Sequence, residues 1–345
     1  YIGLELQSLS LYVLAAFNRD NLLSSESGVK YFVLSALSSG LLLYGCSLIY
    51  GFSGSTNFNE ILLNLTGEEY IITFGIVFIL VGLAFKITAV PFHMWAPDVY
   101  QGSPTAVTFF FAIVPKIAAL SVFIRFLYVP FLEIIEQWQM IIVFLSVASM
   151  LLGAIAAIGQ KNLKRLIAYS SISHVGYAIA GISTGSNEGI QSSILYISIY
   201  AVMNLAFFSC LLMLRKNEKY YENIEDLSGL SKNHPIISLS LLIIMFSLAG
   251  IPPMAGFFAK FYIFMSVIEK SMYFLAIIGL LSTVIAAFYY LRIIKIIYFD
   301  KEKEKYDTDH SMWLKFSLSA STIIILLYFI SPSHLIEIVS RINII

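Results

Sequence analysis

Two similar stretches decide the fold, AFKITAVPFHMWAPDVY at residues 84–100 and LAGIPPMAGFFAKFYIF at residues 248–264. In the first, Lys86 precedes a proline by five residues, and in the second, Lys260 follows a pair of prolines by seven. Proline removes a backbone donor and clashes with the preceding turn, so each helix is predicted to break near its lysine. Inside a membrane, a broken helix is tolerated only beside a cavity or within protein. An ordinary proline kink is the alternative for either helix taken alone.

The composition around these stretches is that of an integral membrane protein. Of 345 residues, 59% are hydrophobic and 12% are charged, and the mean hydropathy is +0.84. Soluble domains average about 45–50% apolar and about 25% charged residues. Lys and Arg number 21 and so do Asp and Glu, which leaves no basic excess for binding nucleic acid. Cys46 and Cys210 are the two cysteines, too few for a disulfide framework or a four-thiolate iron–sulfur site. With no glycine-rich nucleotide motif either, no cofactor is predicted in this chain.

The apolar runs predict an all-α integral membrane protein with about ten transmembrane helices. A span needs about 20 apolar residues, and runs that are apolar on all sides favour helices over barrel strands. The predicted spans are residues 1–17, 29–52, 70–100, 104–129, 138–159, 164–183, 190–214, 236–267, 273–299 and 311–330. The chain opens with Tyr1 inside an apolar run, so no signal peptide is predicted and preceding helices are expected to be missing.

The distribution of positive charge supports this segmentation. Alternating sides after each span puts fifteen Lys and Arg residues, Lys164 among them, on one side and three on the other. By the positive-inside rule, the fifteen face the cytoplasm or the matrix. We call this the positive side. The remaining three cations, Lys86, Lys116 and Lys260, lie inside predicted spans.

Five ionisable residues fall at similar depth on five different predicted spans: Glu5, Lys86, Lys116, His174 and Lys260. A charge at the bilayer centre costs about 2.5–3.5 kcal/mol on insertion scales, so such residues need a reason to be there. Each one alone could be a structural polar group bonded to a neighbouring helix. Five together predict a proton relay, in which opening and closing of a Glu5–Lys86 ion pair is a hypothetical switch.

The two broken spans are the third and the eighth, and an offset of five spans gives them opposite orientations. The spans of Glu5 and His174 are also five apart. Interrupted segments at matching positions of two oppositely oriented halves are typical of inverted-repeat transporters. We therefore predict the end of a first repeat at residues 1–129, a second repeat at 130–299, and a charged loop with a C-terminal helix at 300–345.

Several strings resemble the antiporter-like membrane subunits of proton-pumping NADH:quinone oxidoreductase, respiratory complex I, and among these the subunit 2 branch. They are LELQSLSLYVL, GVKYFVLSALSSG, AFKITAVPFHMWAPDVYQGSPTAVT, NLKRLIAYSSISHVGYAIAG and GIPPMAGFFAKFYIF. The resemblance implies a fourteen-helix subunit, of which this chain would hold the fifth to the fourteenth helix. Where this chain has Lys260 the fourth subunit typically has Glu, and where it has Lys116 the fifth has His, which favours the subunit 2 branch.

The same resemblance implies roles for individual residues. Glu5 corresponds to the acidic partner on the fifth helix, and Lys86 to the pumping lysine on the broken seventh. Lys116 corresponds to the connecting lysine on the eighth helix, and Lys260 to the terminal lysine on the broken twelfth. His174 lies in the SSISHVGY motif.

Two further residues are weaker candidates from the resemblance. Lys30 lies in the KYF motif of the sixth helix, at its positive-side end, where a topology charge is the alternative explanation. His93, in PFHMW, corresponds to a position near the hydrophilic axis. His234, His310 and His334 lie outside the relay and are expected to be solvated or interfacial, as is the mixed-charge loop DKEKEKYDTD at 300–309.

The predicted function is that of a redox-inactive, proton-translocating subunit of NADH:ubiquinone oxidoreductase. Flavin and iron–sulfur clusters are then expected in partner subunits, and the partners are other membrane-arm subunits, including neighbouring antiporter-like ones, and membrane lipids. A subunit of a multisubunit cation/proton antiporter and a passive membrane scaffold are the alternatives. Richness in Phe, Ile, Tyr and Asn favours the mitochondrial inner membrane, with a bacterial plasma membrane as the alternative.

Overall fold

The computed structural model describes residues 1–64, 69–217, 219–303 and 305–343, and most of them are helical. The α-helices are, in chain order, α1 Ile2–Ala15, α2 Leu22–Ser53, α3 Phe58–Asn64, α4 Glu69–Ile87, α5 Trp95–Gly102, α6 Thr105–Tyr128, α7 Ile135–Ile158, α8 Leu163–Ile182, α9 Asn187–Met213, α10 Leu230–Asn233, α11 Pro235–Ala249, α12 Ala255–Glu269, α13 Tyr273–Phe299, α14 Met312–Leu327 and α15 Ser333–Ser340. Short 3-10 turns lie at Leu132–Ile134, Ile224–Leu227 and Tyr328–Ile330. Strands β1 Arg215–Lys216 and β2 Lys219–Tyr220 form a small antiparallel hairpin after α9.

All ten predicted spans correspond to helices, and the chain is a multi-pass membrane protein. Within the described residues, seven helices are long and apolar enough to cross a membrane, namely Leu22–Ser53, Tyr70–Ile87, Thr105–Tyr128, Leu132–Ile158, Asn187–Met213, Tyr273–Phe299 and Met312–Ile330. Helices α1 and α11 are apolar but shorter. The sixth predicted span corresponds to α8, which is twenty residues long and contains Ser170, Ser171 and Ser173.

Helix α8 is the centre of the bundle. Every residue in it is buried except Arg165 and Tyr169, which are half-buried. It packs against α5, α6, α7, α9 and α12, so its polar side chains face protein rather than lipid. Because neighbouring helices enclose it, α8 can lie within the membrane although its hydropathy is low. Large apolar side chains stay exposed on the outer helices, as contact with the apolar bilayer requires.

Both predicted breaks are confirmed. Helix α4 ends at Ile87 and the chain is not helical again until α5, while α11 ends at Ala249 and α12 begins at Ala255. At the first break, the carbonyl of Phe85 accepts a hydrogen bond from the indole Nε1 of Trp95 at 3.0 Å as well as one from the Thr88 N–H at 3.1 Å. At the second, Gly250 adopts the left-handed conformation (φ 86°) that ends α11 without steric cost. The division into repeats at 1–129, 130–299 and 300–345 stays a prediction.

Candidate functional site

The first cluster of buried charge lies between α1, α2 and α4. Glu5 Oε1 is 3.7 Å from Lys86 Nζ, so the predicted ion pair is present but longer than a direct hydrogen bond. The ammonium of Lys86 donates instead to Ser8 Oγ at 2.5 Å and to Ser35 Oγ at 3.0 Å. Ser39 Oγ donates to Glu5 Oε1 at 2.6 Å. Serine hydroxyls thus hold both charges, and a small movement would exchange the partners of either.

Lys116 lies in the middle of α6, directly after Pro115, and is only 1% exposed. Its ammonium donates a short hydrogen bond to Ser171 Oγ on α8, which also accepts one from the Tyr200 hydroxyl at 2.6 Å. The Tyr100 ring faces the ammonium with its centroid 5.4 Å away. Among the described residues no carboxylate pairs with Lys116. A hydroxyl and an aromatic face therefore stabilise its charge.

His174, three residues further along α8, has tyrosine hydroxyls at both ring nitrogens. Nδ1 is 2.6 Å from the Tyr196 hydroxyl, and Nε2 is 3.2 Å from the Tyr290 hydroxyl. The Tyr290 hydroxyl also bonds Ser170 Oγ at 2.5 Å. Neutral imidazole donates at one nitrogen and accepts at the other, whereas a hydroxyl does both. This arrangement can therefore take up a proton at one nitrogen and release one from the other.

Lys260 lies where α12 faces the break after α11. Its ammonium donates to the carbonyl oxygens of Leu248 and Ala249, both at 3.0 Å. These are two of the carbonyls that the end of α11 leaves without helical partners. The ring of Tyr177 lies 5.1 Å from the ammonium, and its centroid is 6.1 Å from that of His174. The broken helix thus supplies the acceptors that hold a buried lysine.

Together these contacts form a row of polar and aromatic side chains along one face of α8. Ser171, His174 and Tyr177 follow one another at three-residue spacing, which places them on neighbouring turns of the same face. Ser171 bonds Lys116, and Tyr177 faces Lys260, with His174 between them. Five of the seven residues that the sequence proposes thus lie in two polar clusters, Lys116–His174–Lys260 and Glu5–Lys86.

Aromatic side chains separate these two clusters. The Trp95 ring stacks on that of Tyr31 with centroids 4.3 Å apart, and it lies 5.6 Å from Phe85 and 6.4 Å from Tyr100. Phe85 is next to Lys86 in sequence, and the Tyr100 ring faces Lys116. The aromatic block of Phe85, Trp95, Tyr31 and Tyr100 therefore connects the surroundings of Lys86 with those of Lys116.

Lys30 and His93 lie outside both clusters. Lys30 forms ion pairs with Glu26 at 2.6 Å and with Asp98 at 2.7 Å, and its side chain is 41% exposed. Asp98 also pairs with Arg165, so this network ties α2, α5 and α8 together on the positive side. His93 is half-buried in the segment between α4 and α5, and its Nδ1 has no hydrogen-bond partner among the described residues.

The sequence analysis missed a buried ion pair on the positive side. Lys164, counted there as a topology charge, is only 3% exposed and lies 2.9 Å from Glu222 Oε1. It also donates to the carbonyl of Ser103 at 2.8 Å, while Thr105 Oγ1 donates to Glu222 Oε1 at 2.6 Å. The sequence could have indicated this pair, because a lysine in the first turn of a helix is destabilised by the helix dipole unless an acidic side chain lies nearby.

One other expectation needs correction. His234 and His310, which were expected to be solvated or interfacial, are buried, His234 beside the loop at 300–311 and His310 within it. The hydroxyls of Tyr196, Tyr200 and Tyr290 also belong to the site, and the sequence analysis did not propose them. In the described part of the chain, no group of three or more His, Cys, Asp or Glu side chains could hold a metal ion.

Comparison with known proteins places this geometry in a family. Residues 1–286 match the family described as NADH:quinone oxidoreductase/Mrp antiporter, TM. NADH-quinone oxidoreductase subunit N of Pelagibacter ubique is 80% identical over 345 residues, covering 100% of this chain and 73% of the relative. A chain of respiratory complex I from Thermus thermophilus superimposes with a TM-score of 0.84 at 31% identity, covering 97% of this chain and 73% of that one. A chain of the Mrp complex from Dietzia sp. shares the fold, with a TM-score of 0.87 at 21% identity, covering 98% of this chain and 72% of that one.

Proposed function

Because this chain belongs to the NADH:quinone oxidoreductase/Mrp antiporter membrane family, we propose that its buried lysines and histidine carry protons across the membrane. It acts as a proton-translocating membrane subunit of NADH:quinone oxidoreductase. The observation that carries the proposal is the path along α8 from Lys116 through His174 to Lys260.

In this proposal a proton moves along the path because each group on it can donate one hydrogen bond and accept another. Lys116 gives up a proton towards Ser171 and Tyr200, whose hydroxyls can each donate or accept. The Tyr200 and His174 rings are in contact, with centroids 5.0 Å apart, so a rotated hydroxyl or a bridging water completes the step to the imidazole. Lys260 is the last carrier, and its carbonyl partners at the break bind the charged ammonium more strongly than the neutral amine.

The Glu5–Lys86 pair is the switch in this scheme, and Lys164–Glu222 is the entry from the positive side. Lys164 precedes Ser171 by seven residues, two turns along the same face of α8, which leads from Glu222 towards the partner of Lys116. Each charge moved against 100 mV costs about 2.3 kcal/mol. We place the source of that energy, with its flavin and iron–sulfur clusters, in other subunits.

The proposal is tested by Lys116→Ala and Lys260→Ala in the full-length subunit within the assembled complex. Proton uptake and NADH oxidation are measured together in inverted membrane vesicles, and both variants should lower the proton-to-electron ratio. Lys270→Ala is the matched control, because Lys270 is an exposed lysine at the end of α12. A normal ratio in both relay variants would reject the role.

Two other functions stay open to experiment. A cation/proton antiporter subunit is favoured by the fold shared with the Mrp complex. Co-purification of the chain with flavin- and iron–sulfur-containing subunits decides against it. A passive scaffold would leave proton transport intact in Lys86→Ala.

We further propose that neighbouring membrane-arm subunits, including antiporter-like ones, flank this chain. The exposed apolar faces of its outer helices support such contacts. A bacterial plasma membrane is the better supported location, because the relatives that match 97% or more of this chain in these comparisons include proteins of the bacteria Pelagibacter ubique and Parvibaculum lavamentivorans. The mitochondrial inner membrane stays a prediction from composition.

A further inference from the structure

A cavity of about 390 Å³ lies on the positive side, away from the relay, between the ends of α9, α11 and α14. Its walls towards the helices are apolar, including Met213, Ile237 and Leu318. Its other end is formed by His234, which precedes α11, and by residues of the loop at 300–311 and the first turn of α14. The cavity thus combines an apolar wall with a polar end at the level where the helices leave the membrane.

The polar end carries positive charge with no opposing carboxylate in its lining. Lys315 lines it and forms no ion pair among the described residues. His310 is buried, and neither of its ring nitrogens has a hydrogen-bond partner in the described part of the chain. Burial lowers the pKa of His310, and the nearby charges of Arg215 and Lys315 lower it further. The lining of the polar end thus holds one cation and no carboxylate, a composition that favours an anion.

His234 offers a hydrogen-bond donor at the same end. Its Nε2 accepts the backbone N–H of Tyr306 at 3.0 Å. A neutral imidazole that accepts at Nε2 carries its proton on Nδ1, so that nitrogen is the donor. Lys315 and His234 together place a charge and an N–H donor in the lining of the cavity.

We propose that this cavity binds one phospholipid with an anionic headgroup. The phosphate would lie at Lys315 and His234, and an acyl chain would follow Ile237 and the exposed side chain of Ile236 along α11. Basic pockets between membrane helices on the cytoplasmic or matrix side are suited to anionic headgroups. Trp313, on the first turn of α14, is 82% exposed, as is typical of aromatic residues at the membrane interface. A phospholipid matches both ends of the cavity, because its anionic headgroup suits the cation Lys315 and its acyl chain suits the apolar wall.

The test measures quenching of Trp313 fluorescence by spin-labelled lipids in the full-length subunit reconstituted in phosphatidylcholine nanodiscs. The Trp313 signal is the part lost in Trp313→Phe. Spin-labelled phosphatidylglycerol should quench it at a several-fold lower mole fraction than spin-labelled phosphatidylcholine does. Lys315→Gln and His234→Ala should each reduce this preference, and Lys315→Gln is expected to fold because Lys315 is exposed.

The matched control is Lys301→Gln, an exposed lysine of the same loop that does not line the cavity. It should keep the preference for phosphatidylglycerol. Equal quenching by both lipids would overturn the proposal. An equal loss of the phosphatidylglycerol preference in Lys301→Gln and Lys315→Gln would also overturn it, because the lipid would then be responding to general surface charge. Failure of both lipids to quench Trp313 would also overturn it, because a protein surface would then cover the cavity.

Discussion

The three relay lysines differ in what stabilises their charge. Lys86 has a carboxylate, Glu5, within 3.7 Å, so its protonated form depends on the position of another charged side chain. Lys116 has a hydroxyl and an aromatic face, and Lys260 has two backbone carbonyls. Neutral partners of this kind stabilise an ammonium less than a carboxylate does. This difference makes Glu5–Lys86 suited to switching, and Lys116 and Lys260 suited to binding and releasing protons.

Ser171 is the residue on which the path from Lys116 depends, since it accepts from both Lys116 and Tyr200. Ser171→Ala removes that acceptor, and a lost hydrogen bond to a charged group costs about 1.5–3 kcal/mol. We expect the initial rate of proton uptake in inverted vesicles to fall by roughly tenfold or more. Ser146→Ala is the control, because the Ser146 hydroxyl is as fully buried as that of Ser171 and donates to the Gly176 carbonyl at 2.7 Å. Equal rates in the two variants would remove Ser171 from the path.

His234 makes the docking of the loop at 300–311 sensitive to acid. Burial lowers its pKa below the ordinary value of 6.5, and the charge of Lys305 lowers it further. His234 therefore binds a proton less well when the loop is docked than when the loop is released. Docking is at full strength above pH 6.5 and weakens as the pH falls through 6.5, because a protonated His234 cannot accept the Tyr306 N–H.

Hydrogen exchange of the Tyr306 amide, corrected for the intrinsic effect of pH, measures this release. It should speed up between pH 7.5 and 5.5. Arg215, His310 and Lys315 also lie near, and His310 itself titrates. His234→Gln separates the contributions, since it keeps an acceptor that does not titrate in this range. Acceleration that persists in His234→Gln would assign the effect to His310.

The segment after β2 acts as a clamp on the start of α8. Leu163 N–H donates to the Glu222 carbonyl at 2.7 Å, and Ile224 N–H donates to the Lys161 carbonyl at 2.8 Å. These backbone bonds hold the Glu222 carboxylate against Lys164. The entry point of the proposed path therefore depends on a loop that lies between α9 and α11.

Glu222→Gln should leave the Lys164 ammonium buried without its counter-charge. Breaking a buried ion pair costs about 3–5 kcal/mol, and the partial exposure of Glu222 favours the lower end. We expect a lower thermal midpoint for the assembled complex. Glu222→Leu combined with Lys164→Met should recover the midpoint, because an apolar pair of similar size needs no counter-charge. This double variant should still fail to pump protons; normal pumping would mean that the pair is only structural.

The helices and their breaks could be predicted from sequence because both depend on local patterns. Apolar runs set the spans, and prolines near Lys86 and Lys260 marked the interruptions. Pairings across the bundle could not be predicted, since the contact of Lys116 with Ser171 joins positions 55 residues apart. The ion pair of Lys164 could not be predicted for the same reason, because its partner Glu222 lies on a distant loop that has no periodic pattern.

Considered as a whole, the chain holds one charged cluster in its N-terminal third and one built around α8. The aromatic block between them contains no ionisable side chain except the hydroxyls of Tyr31 and Tyr100. A proton does not cross stacked rings without a polar group, but an electric field does, and it is weakly screened where water is excluded. We therefore expect the Glu5–Lys86 pair to act on Lys116 through its charge rather than by handing over its proton.

Control of Lys116 by the Glu5–Lys86 pair predicts how variants at the two lysines combine. If Lys86 controls the proton on Lys116, either Lys86→Ala or Lys116→Ala interrupts the same path. The variant with both changes should then lower proton uptake no further than the more severe single change, because groups that act as a unit are not additive. Independent paths would instead give single variants with partial uptake and a double variant in which the two losses add. Initial rates of proton uptake in inverted vesicles, divided by the rate of NADH oxidation, distinguish these results, with Lys270→Ala as the unaffected reference. Additive losses would mean that the aromatic block insulates the two clusters, and the switch role of Glu5 and Lys86 would have to be abandoned.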